Sequence, residues 1–365
     1  MDVLQLSHLT EYFMLGVIRF FLASCVIMFH LSAQVPNIGQ LSVIFFYVIS
    51  GYLITLILNR TYKFNFKKFA ANRFLRLYPT YYVFATLSLL LFLIPFGGIS
   101  SSTFHPSWNG PLQSGDTLGN TLIFPWAFLG DGMVLTIPDF MQSEMARLRL
   151  IPSTWSIAVE IVCYFILWLI TARTVLTSVI SLAATIGIHF VIWHSELSSA
   201  YLYYPFYSAM LAFSVGSVGY FISNAIENKK RFNPNIKTQA TITLLIISVF
   251  IINWHFSLNA PDFIKSPYFY FNFIIALVTI MVMHNFTSGG SIEKITKLLG
   301  DMSYPIFLVQ YVGGYIAWRL LGTNIPIRGW DVFWGGYAVS IILSLFTVLV
   351  VDKRVQKIRN RIRGS

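Results

Sequence analysis

Ten apolar stretches, each long enough to cross a lipid bilayer as a helix, recur along this chain of 365 residues. Hydrocarbon offers no water to backbone polar groups, so spanning segments of this length fold as helices. The stretches are 13–32, 41–58, 79–96, 155–171, 175–193, 200–223, 238–253, 267–284, 302–321 and 332–351. The sequence therefore predicts an all-α polytopic membrane protein, with about ten transmembrane helices in one bundle.

The composition agrees with a membrane protein and excludes an ordinary soluble one. The chain is 56% hydrophobic and only 11% charged, with a mean hydropathy of +0.68. The segment after Val351 is too short to fold alone. We therefore expect residues 1–365 to form a single membrane-embedded domain, with no appended soluble domain and no cleaved signal peptide.

The basic residues are distributed unequally between the two sides of the predicted membrane. Nineteen of the 25 lysines and arginines lie in segments 59–78, 171–174, 224–237 and 285–301 and in the C-terminal tail. Positive residues are retained in the cytoplasm, so both termini are predicted to be cytoplasmic, in the inner (cytoplasmic) membrane. The net charge of +11 then reflects topology and attraction to anionic lipid, and it requires no nucleic-acid partner.

Two segments between the apolar stretches are distinctive. Segment 59–78 interleaves aromatic and basic residues at helical spacing, which predicts a cytoplasmic interfacial helix that Pro79 ends as it opens the third span. Segment 97–154 forms the one long extracytoplasmic loop. A connection of this length usually has a function, such as a lid or a binding surface. The alternative is a loosely ordered connector.

Arg19 and His30 are ionisable residues inside the first span, and such residues indicate a functional site. They are eleven positions apart, close to three helical turns, so they share one face about 16 Å apart along the axis. The alternative is an arginine that reaches the interface near the start of the helix and a histidine whose hydrogen bonds are satisfied within the bundle.

Arg73 and Arg76 are spaced three residues apart and are neighbours on one helical face. Two adjacent guanidinium groups suit phosphate, which arginine binds in bidentate fashion. The alternative is anchoring of the helix to anionic lipid.

Glu160 is a carboxylate inside the fourth span, two turns after a possible helix start at Ser153. We expect it to lie at a depth similar to that of His30. A carboxylate that orients or charges an imidazole is a common way to build a general base. Glu160 could instead pair with another polar group of the bundle, or serve a proton or cation transporter.

Ser303 and Gln310 lie seven residues apart, two turns along one face of the ninth span. Hydrogen bonding between helices is the alternative role for both. The sequence contains no glycine-rich phosphate loop, no metal-ligand spacing and no nucleophile elbow, so no metal is predicted.

Five segments taken in order resemble acyltransferase family 3, the integral-membrane O-acyltransferases that include O-antigen and exopolysaccharide acetylases. They are 19–30, 45–55, 73–79, 154–164 and 303–311. No single segment is specific, but together they extend over nearly the whole chain. The resemblance implies a membrane enzyme that transfers an acyl group, acetyl being the commonest in the family.

The resemblance also implies roles for individual residues. His30 would be the catalytic base, and Arg19 would lie on the path of the acyl donor. Arg73 and Arg76 would bind that donor, acyl-CoA, of which acetyl-CoA is the commonest form.

The remaining matched positions would support the centre of the site. Glu160 is expected to act with His30 in catalysis. The supporting positions are Trp155, Ser156, Tyr164, Ser303 and Gln310. Family members commonly have histidine where this chain has Gln310, and an amide cannot transfer protons near neutral pH.

The predicted function is acyl transfer from cytoplasmic acyl-CoA across the membrane to a hydroxyl of a cell-surface glycan or glycolipid. The predicted partners are acyl-CoA, a glycan or lipid-linked saccharide acceptor and the lipid bilayer. A proton-coupled transporter that uses His30, Glu160 and Arg19 as a relay is the competing hypothesis. It accounts for the intramembrane charges but not for the arginine pair or the order of the segments. A lipid-sensing scaffold without chemistry accounts for neither.

Overall fold

The computed structural model describes residues 13–94, 98–109, 114–129, 148–227, 234–284, 286, 290–322 and 324–364. Over these ranges the regular secondary structure is entirely helical. Eight of the helical segments in them are long and apolar enough to cross a membrane. The prediction of an all-α protein with many membrane spans is confirmed.

Thirteen α-helices are numbered here along the described residues. They are α1 (Phe13–Ser32), α2 (Ile38–Ile57), α3 (Phe66–Leu93), α4 (Ser114–Leu122), α5 (Trp126–Leu129), α6 (Thr154–Ile166), α7 (Val175–His194), α8 (Phe206–Glu227), α9 (Ile236–Ser257), α10 (Pro267–Met283), α11 (Gly290–Leu321), α12 (Trp330–Thr347) and α13 (Lys353–Gly364). Single π-helical turns extend three of them, at Leu58–Tyr62, Leu167–Thr171 and Val348–Asp352.

The ten apolar stretches correspond to helices wherever their residues are described, although two are not among the eight candidate spans. Helix α10 is apolar but only 17 residues long. Stretch 302–321 is the second part of α11, a helix of 32 residues. Charged residues in the first part of α11 lower its hydropathy, whereas Ser303 and Gln310 in its second part are buried.

Helix α3 differs from the sequence prediction. The structure has one continuous helix from Phe66 to Leu93, with Pro79 inside it, where we expected an interfacial helix that ends at Pro79. A proline inside a membrane helix removes one backbone hydrogen bond, and neighbouring groups can satisfy the carbonyls it frees. The Tyr304 hydroxyl of α11 donates to the Leu77 carbonyl at 2.9 Å, so α11 packs against α3 in the turn before Pro79.

Helices α1, α2 and α11 form the interior of the bundle. The span that contains α2 is 78% buried in its most apolar window, against 22% for α7 and for α9, which are therefore exposed to lipid. Helices α1 and α11 approach closely where Gly16 meets Gly300, since a Cβ atom at Gly16 would lie 2.8 Å from the Thr296 carbonyl oxygen. The two helices also meet near the end of α1, where the Nδ1 atom of His30 lies 3.0 Å from the side-chain oxygen of Gln310.

The long loop is folded over the residues described. The side chain of Asn120 donates to the Leu148 carbonyl at 2.7 Å and accepts from the Leu150 backbone amide at 2.9 Å. The indole of Trp108 donates to the Leu150 carbonyl at 3.0 Å. These bonds tie its beginning to its end, so its described parts are not a loosely ordered connector. Residues 130–147 of this loop lie outside the described ranges.

Candidate functional site

His30 lies near the end of α1 and faces Gln310 on α11. The Nδ1 atom of its imidazole is 3.0 Å from the side-chain oxygen of Gln310, whose amide nitrogen donates to the Phe307 carbonyl at 2.8 Å. Because the amide nitrogen is used as a donor to backbone, the oxygen of Gln310 accepts the Nδ1 hydrogen of neutral His30. The Nε2 atom of His30 then carries the lone pair, and that is the atom able to accept a proton.

The imidazole of His30 borders a cavity of about 80 Å³, which we call the His30 chamber. Its wall combines apolar residues with aromatic and polar ones. Trp155 on α6 packs against Tyr203 and Tyr204, with ring centroids 5.6 and 4.9 Å away. Gln40 and Ser156 also line it and supply hydrogen-bonding groups. The chamber therefore offers both flat apolar surfaces and polar contacts to a ligand.

A second cavity of about 60 Å³, the Arg19 chamber, adjoins the first. The two share Val43, Ser156 and Phe307 as lining residues, so they are neighbours along the bundle. Arg19 and Glu160 both line the second chamber. Its wall therefore carries charged side chains, and this distinguishes it from the wall of the His30 chamber. The charged residues and the imidazole thus occupy adjoining compartments.

Glu160 does not lie against His30. Its carboxylate accepts hydrogen bonds from the hydroxyl of Ser50, at 2.6 Å, and from that of Tyr164 one turn along α6. The expected pairing of Glu160 with His30 was therefore wrong, because α6 directs this carboxylate into the Arg19 chamber. Gln310 occupies the position beside the imidazole instead.

Arg19 is held by electrostatic forces of both signs. Glu160 and Asp301 attract its guanidinium group and Arg76 repels it, while no hydrogen bond to Arg19 is found among the described residues. An arginine that lines a cavity without a fixed partner has donors available for a ligand.

Arg73 and Arg76 lie on α3 in different surroundings. Arg76 forms an ion pair with Asp352 at 3.8 Å, and Thr80 donates to the other oxygen of the same carboxylate at 2.8 Å. The Nε atom of Arg73 is buried and has no hydrogen-bond partner among the described residues. One member of the pair is therefore partly neutralised and the other is not.

The other predicted positions support these chambers. The backbone carbonyl of Ser156 accepts from Tyr47 at 3.0 Å, and the hydroxyl of Ser303 donates to the Gly300 carbonyl at 2.7 Å. Ser153 begins α6 without a side-chain cap, and its hydroxyl donates to the Phe307 carbonyl at 3.3 Å instead. These bonds join α6 to α2 and α11 around the shared wall.

His105 is a loop residue that sequence reasoning missed. Its ring centroid is 4.5 Å from that of Tyr311, whose ring centroid is in turn 5.0 Å from that of His30. The Ser107 backbone amide donates to its Nδ1 atom at 3.1 Å. Burial, and then the charge of Arg328, lower the pKa of His105 to about 3. An isolated histidine in a long loop has no sequence signal that could have placed it here.

One comparison decides the family. A family model described as an acyltransferase domain, that of acyltransferase family 3, matches residues 14–350. The chain belongs to the acyltransferase 3 family. Neither a curated protein nor a solved structure matches it.

The protein is therefore a multi-pass membrane acyltransferase, an enzyme that takes an acyl donor and an acceptor. In this acyltransferase the Nδ1 hydrogen of His30 is accepted by an amide oxygen, that of Gln310, and an amide can orient an imidazole but cannot exchange protons with it. Within the part of the acyltransferase that the structure describes, no group of three or more potential ligands could hold a metal ion.

Proposed function

We propose that this acyltransferase moves an acyl group, acetyl being the favoured one, from cytoplasmic acyl-CoA to a hydroxyl of a cell-surface glycan or glycolipid. The observation that carries the proposal is the hydrogen bond from Nδ1 of His30 to Gln310, which leaves Nε2 as a base at the border of a chamber. The adjoining Arg19 chamber supplies space for the donor.

The chemistry needs one base and two reactants in line. Nε2 of His30 removes the proton of the acceptor hydroxyl while its oxygen attacks the thioester carbonyl carbon. The carbon–sulfur bond then breaks, and the sulfur of CoA leaves with the proton that His30 gives back. Gln310 holds the imidazole throughout by accepting its Nδ1 hydrogen. Positioning both reactants in adjoining chambers supplies much of the acceleration.

The donor would enter from the arginine side. Phosphates of acyl-CoA would bind Arg73 and Arg76, and the pantetheine arm would extend past Arg19 toward His30. That arm is about 15–20 Å long, which is comparable to the rise of about 16 Å between Arg19 and His30 on one helix. Arg19 has donors free for the amides or the thioester of the arm.

The acceptor would enter the His30 chamber from the opposite side. A saccharide presents apolar C–H faces as well as hydroxyls, and the aromatic rings and polar groups of this chamber match both. His105 in the long loop and Tyr311 would border its route. The acceptor class rests on this match.

Acyl transfer is favoured over the proton-coupled transporter by the family assignment and by the separation of the ionisable groups. A relay from His30 to Glu160 would need a hydrogen-bonded connection, whereas the described partner of His30 is Gln310 and those of Glu160 are Ser50 and Tyr164.

Mass spectrometry of surface glycans, from cells that carry the protein and cells that lack it, tests the proposed function. We expect each modified residue to be heavier by one acyl group in place of one hydroxyl hydrogen. For acetyl this difference is about 42 Da. Isotopic label in the acyl group of the cytoplasmic CoA pool should appear in the glycan. Absence of any difference in every surface glycan would contradict the proposal.

The orientation of the protein in the membrane is tested separately, because a cytoplasmic donor can reach the arginine pair only if the pair faces the cytoplasm. Thr103→Cys in the loop and Asn360→Cys on α13 are both exposed positions, and the native Cys25 and Cys163 are buried. The cysteine at position 103 should react with an impermeant maleimide in intact cells, and that at position 360 only after lysis. The reverse pattern would exclude cytoplasmic acyl-CoA as the donor.

A further inference from the structure

The C-terminal helix α13 packs against α3 through a buried contact. The Nε atom of Arg359 donates to the side-chain oxygen of Asn72 at 3.3 Å, and the amide nitrogen of Asn72 donates to the Arg359 carbonyl at 3.3 Å. Arg359 is only 7% exposed and Asn72 is fully buried. Arg359 is therefore fixed against the helix that carries Arg73 and Arg76.

This contact concentrates positive charge. The charges of Arg73, Arg76 and Arg363 all act on Arg359, and those of Arg76 and Arg363 act on Arg73. We call these four residues the arginine cluster. Asp352 is the carboxylate that pairs with it among the described residues, through Arg76. Like charges held together away from water repel strongly, so the interface favours an anion.

The cluster also has hydrogen-bond donors to offer. Nε of Arg73 is buried without a partner among the described residues, and the one ion pair to Arg76 is long, at 3.8 Å. Planar guanidinium groups bind the oxygens of a phosphate in pairs. Unfilled donors and uncompensated charge at one place are the properties of a phosphate site.

We propose that Arg359 and Arg363 of α13 complete, with Arg73 and Arg76 of α3, a phosphate-binding site that receives the phosphates of the CoA donor. The inference rests on the proposed function, since it extends the donor site from α3 to the end of the chain. It assigns α13 a part in substrate binding, where its sequence suggested only a basic tail at the membrane surface.

The position of the cluster favours the donor over a lipid headgroup as the source of the phosphate. The charge of Arg76 acts on Arg19, which lines the Arg19 chamber. Tyr304 lines the same chamber and donates to the Leu77 carbonyl, next to Arg76. A phosphate in the cluster would therefore lie beside the chamber that takes the rest of the donor.

Calorimetry on the full-length protein in nanodiscs of neutral lipid tests this site. CoA and pantetheine, which lacks every phosphate, would be titrated into wild type, Arg359→Gln and Arg363→Gln. We expect each substitution to weaken CoA binding about tenfold, as loss of a charged hydrogen bond does, and to leave pantetheine binding unchanged. Arg363→Gln removes no hydrogen bond or ion pair found among the described residues, so it reports on binding even if Arg359→Gln disturbs the contact with Asn72.

Arg361→Gln is the matched control, because it removes the same charge from an exposed position of the same helix. It should change CoA affinity less than twofold. If Arg359→Gln and Arg363→Gln weaken CoA binding no more than Arg361→Gln does, while Arg73→Gln weakens it strongly, the role of α13 is overturned and the donor proposal stands. If CoA does not bind to wild type at all, the donor proposal itself fails.

A second set of nanodiscs containing phosphatidylglycerol separates the two sources of phosphate. If the cluster binds the donor, CoA should stabilise wild type against heat in both lipids, and the stabilisation should shrink in Arg363→Gln. A different result would identify the ligand as a lipid headgroup and overturn the donor assignment. In that case phosphatidylglycerol would stabilise wild type, the variants would lose this stabilisation, and their CoA affinity would be unchanged.

Discussion

The two ends of the site differ in how their polar groups are satisfied. At one end, His30, Gln310 and the Phe307 carbonyl form a short chain in which each donor has an acceptor. At the other, Arg73 has a buried donor without a partner, and four arginines share one carboxylate among the described residues. The first end is complete as it stands, whereas the second is short of negative charge.

This difference separates two tasks. A general base must hold a lone pair at a fixed position before substrate arrives, so its hydrogen bonds are best formed in advance. A site that captures a polyanion instead gains by leaving charge and donors uncompensated until the ligand binds. Substitutions at the first end should therefore lower turnover, and substitutions at the second should weaken donor binding.

The largest expected effect is at His30. His30→Ala should reduce acyl transfer by roughly 10²–10⁴-fold, the contribution typical of a positioned base, and leave CoA affinity within about twofold. Transfer from radiolabelled acyl-CoA in reconstituted membranes measures the first, and calorimetry the second. His255→Ala, at an exposed position, is the control and should retain activity. A His30→Ala enzyme with a tenth of wild-type turnover would remove His30 from the role of base.

Gln310 should come next, since it orients the base without touching the reacting atoms. Gln310→Leu should lower kcat roughly tenfold to a hundredfold with little change in the KM for donor, as loss of an orienting partner does. Gln310→Glu keeps an acceptor oxygen toward Nδ1 but loses the donor to the Phe307 carbonyl, so it should retain more of kcat than Gln310→Leu does. Equal losses in both variants, or a loss confined to KM, would indicate a merely structural residue.

A smaller effect is expected at the arginine pair. Arg73→Lys keeps the charge but loses the planar donor geometry, so CoA should bind about tenfold more weakly while the kcat at saturating donor stays within about threefold. Arg76→Lys should behave similarly but less strongly, because Asp352 already occupies part of its guanidinium group. Unchanged CoA affinity in both variants would mean that the pair only anchors α3.

The smallest effect concerns stability at His105, the loop residue whose ring packs against Tyr311. Its pKa of about 3 lies below the ordinary value of about 6.5, so folding favours the neutral ring. That stabilisation is complete above about pH 6.5 and is lost as the pH falls toward 3.

His105→Asn keeps an acceptor for the Ser107 amide and removes the titrating group. Its Tm should fall less than that of wild type between pH 7.5 and pH 4.5, by about a few degrees. Thermal unfolding of purified protein at both pH values measures the difference. The exposed His194→Asn variant should show the same fall in Tm as wild type. If the Tm of His105→Asn falls by as much as that of wild type, burial of the His105 ring does not contribute to the pH dependence of stability.

Much of the architecture could be predicted because it depends on local sequence. Apolar stretches of bilayer length specify spanning helices one by one, and the order of five motifs was enough to indicate the family. Helical periodicity also indicated that Arg19 and His30 share a face, and each borders one of two adjoining chambers. The continuity of α3 through Pro79 was missed, because a proline in a sequence is a usual sign of a helix boundary and the packing of α3 against other helices is not visible in the sequence.

What only the tertiary structure decided is which residues meet. Periodicity gives the face and depth of a side chain but not the helix that lies opposite, so Glu160 and Gln310 were equally available as partners of His30. The packing of α1 along α11 places Gln310, 280 positions away in the chain, beside His30. The packing of α13 on α3 likewise brings Arg359 to Arg73. Long-range packing sets such pairs because it minimises voids and unsatisfied polar groups over the whole bundle at once.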